Sequence, residues 1–215
     1  MNKPATLLLT LILVLPFFVQ AQDKNGEFID WSANRRLDWN DYKCSPDPNS
    51  DAAATTTTYL GLEYKYSTDN SFTYKIDCKF SKDKSWGLYK NNHILGHEQG
   101  HFDITEIFAR KLNKALSEYR VNKRTYQRDL ENIYNDITRE KEDFQNQYDE
   151  ETDYSRNKIR QAEWLKKIDN TLEEYQDYAY YNHGTNTLAY SQNKINTSGT
   201  NKAMTGNKRK NAGSY

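Results

Sequence analysis

Two histidines four residues apart are the residues of this 215-residue chain whose spacing most directly suggests chemistry. Residues 97–101 read His-Glu-Gln-Gly-His, the H-E-x-x-H pattern, in a stretch whose apolar residues recur at helical spacing. Positions four apart on a helix differ by about 40°, so the imidazoles of His97 and His101 project side by side and can bind one Zn²⁺. Glu98 then lies near the metal without ligating it. There it can take a proton from a zinc-bound water and pass it to a leaving amine, so the pattern predicts metal-assisted hydrolysis with Glu98 as the catalytic residue.

A catalytic zinc site needs a third protein ligand, which these two histidines do not supply. The extended pattern with a third histidine six residues after His101 is excluded, because Ile107 occupies that position. Asp103 and Glu106 are rotated away from the metal side of the helix, which predicts supporting or surface roles for both. The third ligand must therefore come from another element of the fold.

The elements that must position these residues change along the chain. Over residues 28–80 apolar side chains recur at every second position, and turn-forming residues at 68–71 separate two such runs, which predicts a β-hairpin. After Gly100 no Gly or Pro occurs until Gly184. Three apolar stripes in this stretch predict three helices, the last with Ser155 as its N-cap, at about 92–120, 123–148 and 156–180. Strands followed by helices indicate an α+β fold, in which a small antiparallel sheet precedes a bundle of about three helices and H-E-x-x-H lies on the first.

The two ends of the chain differ in composition from the rest. Residues 1–21 have a single charge, on Lys3, an unbroken apolar run and small residues before Gln22, which together predict a cleaved signal peptide. An uncleaved anchor is the alternative. Residues 184–215 contain no Asp or Glu and few apolar residues, so we predict a disordered, polar and basic tail.

Residues 22–183 remain as one predicted domain, mainly β over 22–90 and mainly α over 91–183. This domain carries 24 basic and 30 acidic residues, a balance that argues against a nucleic-acid binder. It has no apolar stretch near the roughly 20 residues that a membrane-spanning helix needs, so we expect no stable membrane span after signal cleavage. The expected protein is exported, periplasmic or extracellular, and its partner is a peptide or protein substrate.

Both cysteines, Cys44 and Cys78, lie in the predicted exported domain. An oxidising compartment allows thiols to pair. Cys78 points to the apolar face of its predicted strand, and Cys44 lies just before a Pro-rich loop and can reach it. We therefore predict a Cys44–Cys78 disulfide, with two separate free thiols as the alternative.

Residues around the H-E-x-x-H pattern resemble a known family. The run HEQGHFDITEIFARKL, from His97 to Leu112, is similar to the DUF922 family, as are Ser85-Trp86, the run WNDY that begins at Trp39, and the loop over 46–58. The resemblance extends over about 28–180. It implies a secreted bacterial zinc-dependent protease.

The resemblance also suggests where the third ligand lies. Residues 148–154 read YDEETDY and are similar to a family segment of the form YDxETxH, whose final His is a natural zinc ligand. This chain has Tyr154 at that position, and a bound metal lowers the pKa of a phenol, so that tyrosinate can bind. We therefore interpret Tyr154 as the third ligand. The alternatives are a carboxylate of Asp153 or Glu151, a ligand elsewhere in the chain, for which His183 is a weak candidate, or no third ligand in a site that holds metal weakly.

Three hypotheses of function follow. The leading one is a secreted zinc metallopeptidase that holds its substrate along an edge strand of the 55–80 hairpin. The second is a non-catalytic secreted binding protein that keeps the fold with a degenerate site. The third is a structural helical protein of the cell envelope, whose charged helix faces, such as 139–143, are solvated. Metal content separates the first hypothesis from the other two.

Overall fold

The computed structural model describes residues 26–67, 71–182 and 186–190 of the chain. The elements of this described part are, in order, β1 (Phe28–Asp30), β2 (Ala54–Thr55), β3 (Thr58–Tyr66), β4 (Phe72–Ser81), β5 (Trp86–Gly87), α1 (Asn92–Glu118), β6 (Arg120–Val121), α2 (Tyr126–Thr152), α3 (Lys158–Glu174), a 3-10 helix (Gln176–Asn182) and β7 (Asn186–Tyr190). A small, mainly antiparallel sheet and a group of helices confirm the predicted α+β class. The predicted third helix divides into α3 and the 3-10 helix. The predicted signal peptide lies outside the described residues.

Strand β4 is the centre of the five-stranded sheet. One of its edges pairs with β3 from Thr58 opposite Phe80 to Tyr66 opposite Phe72, which confirms the predicted hairpin. Its other edge is shared by β1 and β7, and β6 pairs with β7 in parallel. Alternate side chains of β4 project to one face. These residues belong to the core that the helices complete, and all are nearly fully buried: Phe72, Tyr74, Ile76, Cys78 and Phe80.

The prediction of a disordered tail is wrong for five residues. Residues 186–190 form β7, which pairs with residues 72–74 of β4. Because β1 has only three residues, it leaves the rest of that β4 edge open to a further strand. Pairing uses backbone N–H and C=O groups that any non-proline residue supplies, so a polar composition does not prevent it. Residues 191–215 lie outside the described part.

Helix α1 is buried on nearly all sides, because it contacts the sheet, α2, α3 and the 3-10 helix. Its apolar side chains fill the core that these elements share: Phe102, Ile104, Ile107, Phe108, Ala109, Leu112 and Leu116. Burial of this many apolar side chains stabilises the domain through the hydrophobic effect. In the described part of the chain, no helix combines the length and the apolarity that crossing a membrane requires.

Two carboxylates of α1 attach other parts of the chain to the helix. Asp103 accepts a hydrogen bond from Trp31 Nε1 at 2.9 Å. Glu106 accepts one from Arg110 Nε at 2.8 Å and another from the phenol of Tyr181 in the 3-10 helix. Each carboxylate is only 1% exposed, so the surface role that their rotation on the helix suggested is wrong. Both are internal links of the fold.

The predicted disulfide is also wrong, because Cys44 and Cys78 are both free. Cys78 lies in the middle of β4, buried beside Glu106 of α1, where burial raises the pKa of its thiol. Cys44 donates its N–H to the carbonyl of Ser85, which follows the end of β4 at Ser81. A disulfide requires Cα atoms within about 7 Å and Cβ atoms that face each other. The fold holds Cys44 past the end of the strand and turns Cys78 towards the helix.

The connection between α2 and α3 is a tight turn with unusual backbone angles. Asp153, Tyr154 and Ser155 have φ values of 50°, 49° and 71°, in the left-handed region that residues other than glycine rarely occupy. Ser155 belongs to this turn, so the prediction that it caps α3 is wrong. Asn157 is the N-cap, and its side chain accepts a hydrogen bond from the N–H of Arg160.

Candidate metal centre

The start of α1 is fixed by a capping residue. The side chain of Asn91 accepts hydrogen bonds from the N–H groups of His93 and Ile94, each at 3.0 Å. An asparagine in this position satisfies backbone donors that the helix itself cannot. The helix then continues through Glu118, so His97 and His101 lie one turn apart on it, as the spacing predicts.

Gly100 allows helix α2 to approach α1 closely. A Cβ atom at this position would lie 2.5 Å from Tyr148 Oη of α2, which is closer than non-bonded atoms permit. Tyr148 Oη donates a hydrogen bond to the carbonyl of His97 at 3.2 Å, and the tyrosine ring stacks on the His97 imidazole with 4.5 Å between centroids. This close packing brings the next residue of α2, Asp149, against the two histidines.

Three side chains converge on one point. His97 Nε2 and His101 Nε2 each lie 3.0 Å from Asp149 Oδ1 and 3.2 Å from each other. Donors around a tetrahedral zinc ion with bonds of about 2.0–2.1 Å stand roughly 3.3 Å apart, so the spacing fits such an ion. Two imidazole nitrogens and one carboxylate oxygen also fit zinc chemically. The described residues therefore contain a cluster that can bind a metal ion.

The cluster shifts the pKa values of its members. Burial by itself raises the pKa of Asp149, but hydrogen bonds from His101 and His97 outweigh burial and hold that pKa well below its usual range. Burial lowers the pKa of His101, but the Asp149 carboxylate outweighs it and raises the pKa to about 9. For His97 burial dominates and lowers the pKa. The carboxylate is thus anionic and available to a cation, which would displace the proton shared with the imidazoles.

Gln145 holds His101 from the side opposite to the cluster. His101 Nδ1–H donates to Gln145 Oε1. The amide of Gln145 donates to the carbonyl of His101 at 3.0 Å and to Thr105 Oγ1 at 3.4 Å. Because Gln145 holds the proton on Nδ1, displacement of the Nε2 proton by a cation leaves the Nε2 lone pair directed into the cluster, as metal binding requires. Gln145 and Asp149 lie one turn apart on α2, so the same helix supplies a ligand and the group that orients another ligand.

Glu98 lies on the wall of a cavity beside the cluster. The side chain is buried, at 4% exposure, and it lines the cavity together with His97 and His101. Among the described residues, its carboxylate has no hydrogen-bond or ion-pair partner. Its oxygens are not among the fully enclosed atoms of the described residues that lack a partner, so the carboxylate opens into the cavity and can interact with a molecule there. Its position agrees with the predicted role of base.

The cavity has a volume of about 1150 Å³. Its walls come from four parts of the fold, namely the segment 51–56, the start of α1 with the residues just before it, the last turns of α2 and the turn before α3. A space of this size can hold several residues of a peptide, because ligand pockets typically measure about 300–1,000 Å³. The cluster of His97, His101 and Asp149 is therefore accessible to a molecule in the cavity.

Tyr154, the predicted third ligand, lies on the wall of this cavity but is 59% exposed. Asp149 completes the cluster instead. The alternative carboxylates, Asp153 and Glu151, form ion pairs with arginines at 2.6 and 2.5 Å. The structure therefore favours Asp149 over Tyr154 as the third ligand. The sequence contains one signal for Asp149. Gln145 and Asp149 are four residues apart and directly follow Phe144 and Tyr148 of the apolar stripe of α2, so both polar side chains lie at the edge of the buried face.

His93, the remaining histidine of the described residues, has a different function. Its Nε2–H donates to the carbonyl of Ser155 at 2.6 Å. Gln161 of α3 donates to the carbonyl of His93 at 2.9 Å. His93 therefore joins the start of α1 to the turn that follows α2. His183 lies outside the described residues.

Comparison with known proteins gives one match. Residues 21–156 match the family model described as "Bacterial protein of unknown function (DUF922)". No curated protein and no solved structure matches the chain. The matched stretch contains Glu98 and the whole cluster of His97, His101 and Asp149, whereas α3 and the 3-10 helix follow it and complete the core. Because the match covers well over half of the sequence, the chain belongs to the DUF922 family of bacterial proteins.

Proposed function

We propose that this chain is a secreted zinc-dependent peptidase that hydrolyses peptide bonds with a metal-activated water. One observation carries the proposal. Three convergent donors, from His97, His101 and Asp149, lie beside a buried glutamate, Glu98, that has no partner among the described residues and faces the same cavity. Two imidazoles and one carboxylate are a usual ligand set for catalytic zinc, and they leave a position for water.

Each residue has a defined role in this proposal. His97, His101 and Asp149 hold the zinc ion, which when bound lowers the pKa of water and polarises a carbonyl. Glu98 accepts the proton of the attacking water and donates it to the departing amine. Gln145 keeps His101 in the tautomer that can bind metal.

Strand β2 offers a place for the substrate backbone. Ala54 and Thr55 pair with β5 on one edge and line the cavity. In the described part of the chain, no strand pairs with the second edge of β2. An extended peptide can add to such an edge through backbone hydrogen bonds. The cavity does not support the predicted position along the 55–80 hairpin, because the strands of that hairpin, β3 and β4, do not line it, whereas β2 forms a separate sheet with β5.

A non-catalytic binding protein is the second candidate. The observation in its favour is that Asp149 accepts hydrogen bonds from both His97 and His101. The cluster can therefore be satisfied without a metal, as a degenerate site would be. In that case the cavity would bind a peptide without cutting it.

Metal content and hydrolysis together test the proposal. We would purify the chain beginning at Gln22 and measure bound zinc by mass spectrometry, then follow cleavage of an unfolded, fluorescently labelled protein. His101→Ala should lose zinc and hydrolysis together. His93→Gln is the matched control, because His93 also lines the cavity but bonds to Ser155, and this variant should keep its zinc.

The possible outcomes separate the two candidates. About one zinc per chain with cleavage that chelation abolishes supports the peptidase. A parent protein that binds no zinc, or that binds zinc and leaves every substrate intact, supports the binding protein instead.

A further inference from the structure

Two tyrosines with largely exposed side chains lie on the wall of the metal cavity. Tyr89 and Tyr154 line the cavity and are 61% and 59% exposed. Single exposed apolar residues are ordinary, but a group of them around a cavity marks a binding site. We call Tyr89 and Tyr154 the apolar rim.

Two separate elements build the apolar rim, and each is joined to part of the proposed site. The N–H groups of Leu88 and Tyr89 donate to the carbonyl of Ala53, at 2.9 and 3.1 Å, next to strand β2. The N–H of Tyr154 donates to the carbonyl of Asp149 at 2.8 Å. One half of the rim is therefore fixed to the strand proposed to hold the substrate, and the other half to a metal ligand.

The turn that carries Tyr154 is strained and firmly held. Three consecutive non-glycine residues, Asp153 to Ser155, have left-handed φ values. Such strain persists only where the surroundings enforce it, and it is concentrated at functional sites. Here His93 enforces it through its hydrogen bond to the carbonyl of Ser155 at 2.6 Å. The result is a tyrosine displayed at the cavity on a rigid backbone.

Charges on the cavity wall do not select a charged ligand. Apart from the metal cluster, Glu98 and His93, the wall carries one acidic residue, Asp51, and two basic residues, Arg156 and Lys158. Arg156 is already paired with Asp153 at 2.6 Å. With both signs present and one charge neutralised, the apolar rim is the feature of the wall that can discriminate between substrates.

We infer that the cavity selects extended polypeptide segments with large apolar side chains on both sides of the bond over the metal, and that Tyr89 and Tyr154 form the two apolar subsites. The inference rests on the proposed function. Backbone pairing with β2 provides sequence-independent affinity, and alternate side chains of the bound peptide reach the rim. Segments of this kind are buried in folded proteins, so the substrates are unfolded or flexible chains.

A binding experiment tests the inference without requiring hydrolysis. We would use the zinc-loaded Glu98→Gln chain and two short fluorescent peptides of Ala and Thr that differ only in a central pair, Leu-Phe in one and Ser-Asn in the other. Fluorescence anisotropy should show about 100-fold tighter binding of the Leu-Phe peptide, about tenfold from each subsite. Tyr89→Ser and Tyr154→Ser should each weaken that binding about tenfold and leave the Ser-Asn peptide unaffected. Tyr180→Ser is the matched control, because Tyr180 is 66% exposed and does not line the cavity.

The outcomes distinguish the inference from the function on which it rests. Equal affinity for both peptides, or equal effects of Tyr89→Ser and Tyr180→Ser, overturns the inference. Selective binding by a chain whose parent cuts nothing upholds the apolar subsites and overturns the peptidase. Hydrolysis by the parent at bonds flanked only by polar residues, mapped by mass spectrometry on an unfolded protein, upholds the peptidase and overturns the subsites.

Discussion

Helix α1 carries two buried glutamates, Glu98 and Glu106, whose surroundings differ. Glu106 is 1% exposed and accepts hydrogen bonds from Arg110 and Tyr181. Glu98 is 4% exposed, has no partner among the described residues and borders a cavity. The comparison indicates that Glu106 links parts of the fold, whereas the carboxylate of Glu98 opens to the cavity and is available to a molecule there.

The largest expected effect is on catalysis at the unpaired glutamate. Glu98→Gln should reduce hydrolysis by about 10²–10⁴-fold, because an amide cannot accept the proton from water. Zinc content and unfolding midpoint should stay near those of the parent, since Glu98 neither binds the metal nor holds another element. Turnover of a labelled unfolded protein, with zinc measured on the same sample, checks this. Parent-like turnover would contradict the role of Glu98 as base.

The paired glutamate should show the opposite behaviour. Arg110→Met leaves Glu106 buried with an incomplete set of partners and should lower the free energy of unfolding by about 3–5 kcal/mol. Urea unfolding monitored by circular dichroism measures this loss. Arg139→Met is the control, because the Arg139–Asp136 pair is exposed and should contribute nothing measurable. If Arg110→Met lowers the free energy of unfolding no more than Arg139→Met does, Glu106 and its partners do not stabilise the fold.

The next prediction concerns which residue is the third metal ligand. Asp149→Asn should weaken zinc binding by more than the roughly 10–100-fold that follows loss of a group behind a ligand. Tyr154→Phe, which removes only a phenolic oxygen, should leave zinc affinity unchanged. Competition with a chelator of known affinity measures both. If Tyr154→Phe rather than Asp149→Asn loses zinc, the ligand is the tyrosine that the sequence pattern suggested.

The smallest expected effect concerns the orientation of a ligand. Gln145→Leu removes the acceptor for His101 Nδ1–H and should weaken zinc binding about 10–100-fold. Gln145→Glu keeps an acceptor and should restore most of the affinity. Nitrogen NMR of the imidazoles reports the tautomer directly and should show a mixture at His101 only in the leucine variant. If Gln145→Leu changes neither the His101 tautomer nor the zinc affinity, Gln145 does not orient the ligand.

The sequence by itself determined those features that depend on local spacing. A separation of four residues puts His97 and His101 on one side of any helix, and Glu98 next to them, whatever the rest of the fold is. Alternation over 58–81 likewise produced the hairpin, and the change to helical period produced the α+β class. These patterns are visible because each lies within one element.

Tertiary structure decided everything that depends on how elements meet. Asp149 contacts His97 and His101, which are 52 and 48 residues away in the sequence. The contact forms because Gly100 leaves room for Tyr148, so that α2 packs closely on α1. Spacing within either helix does not specify this packing. Helical rotation placed Glu106 away from the metal, but only the packing of the sheet and the 3-10 helix against that face buried it. The pairing of β7 with β4 and the separation of the Cys44 and Cys78 thiols also depend on how distant segments pack. Packing angle and register between distant segments arise from the sum of many weak contacts, and no local sequence pattern encodes them.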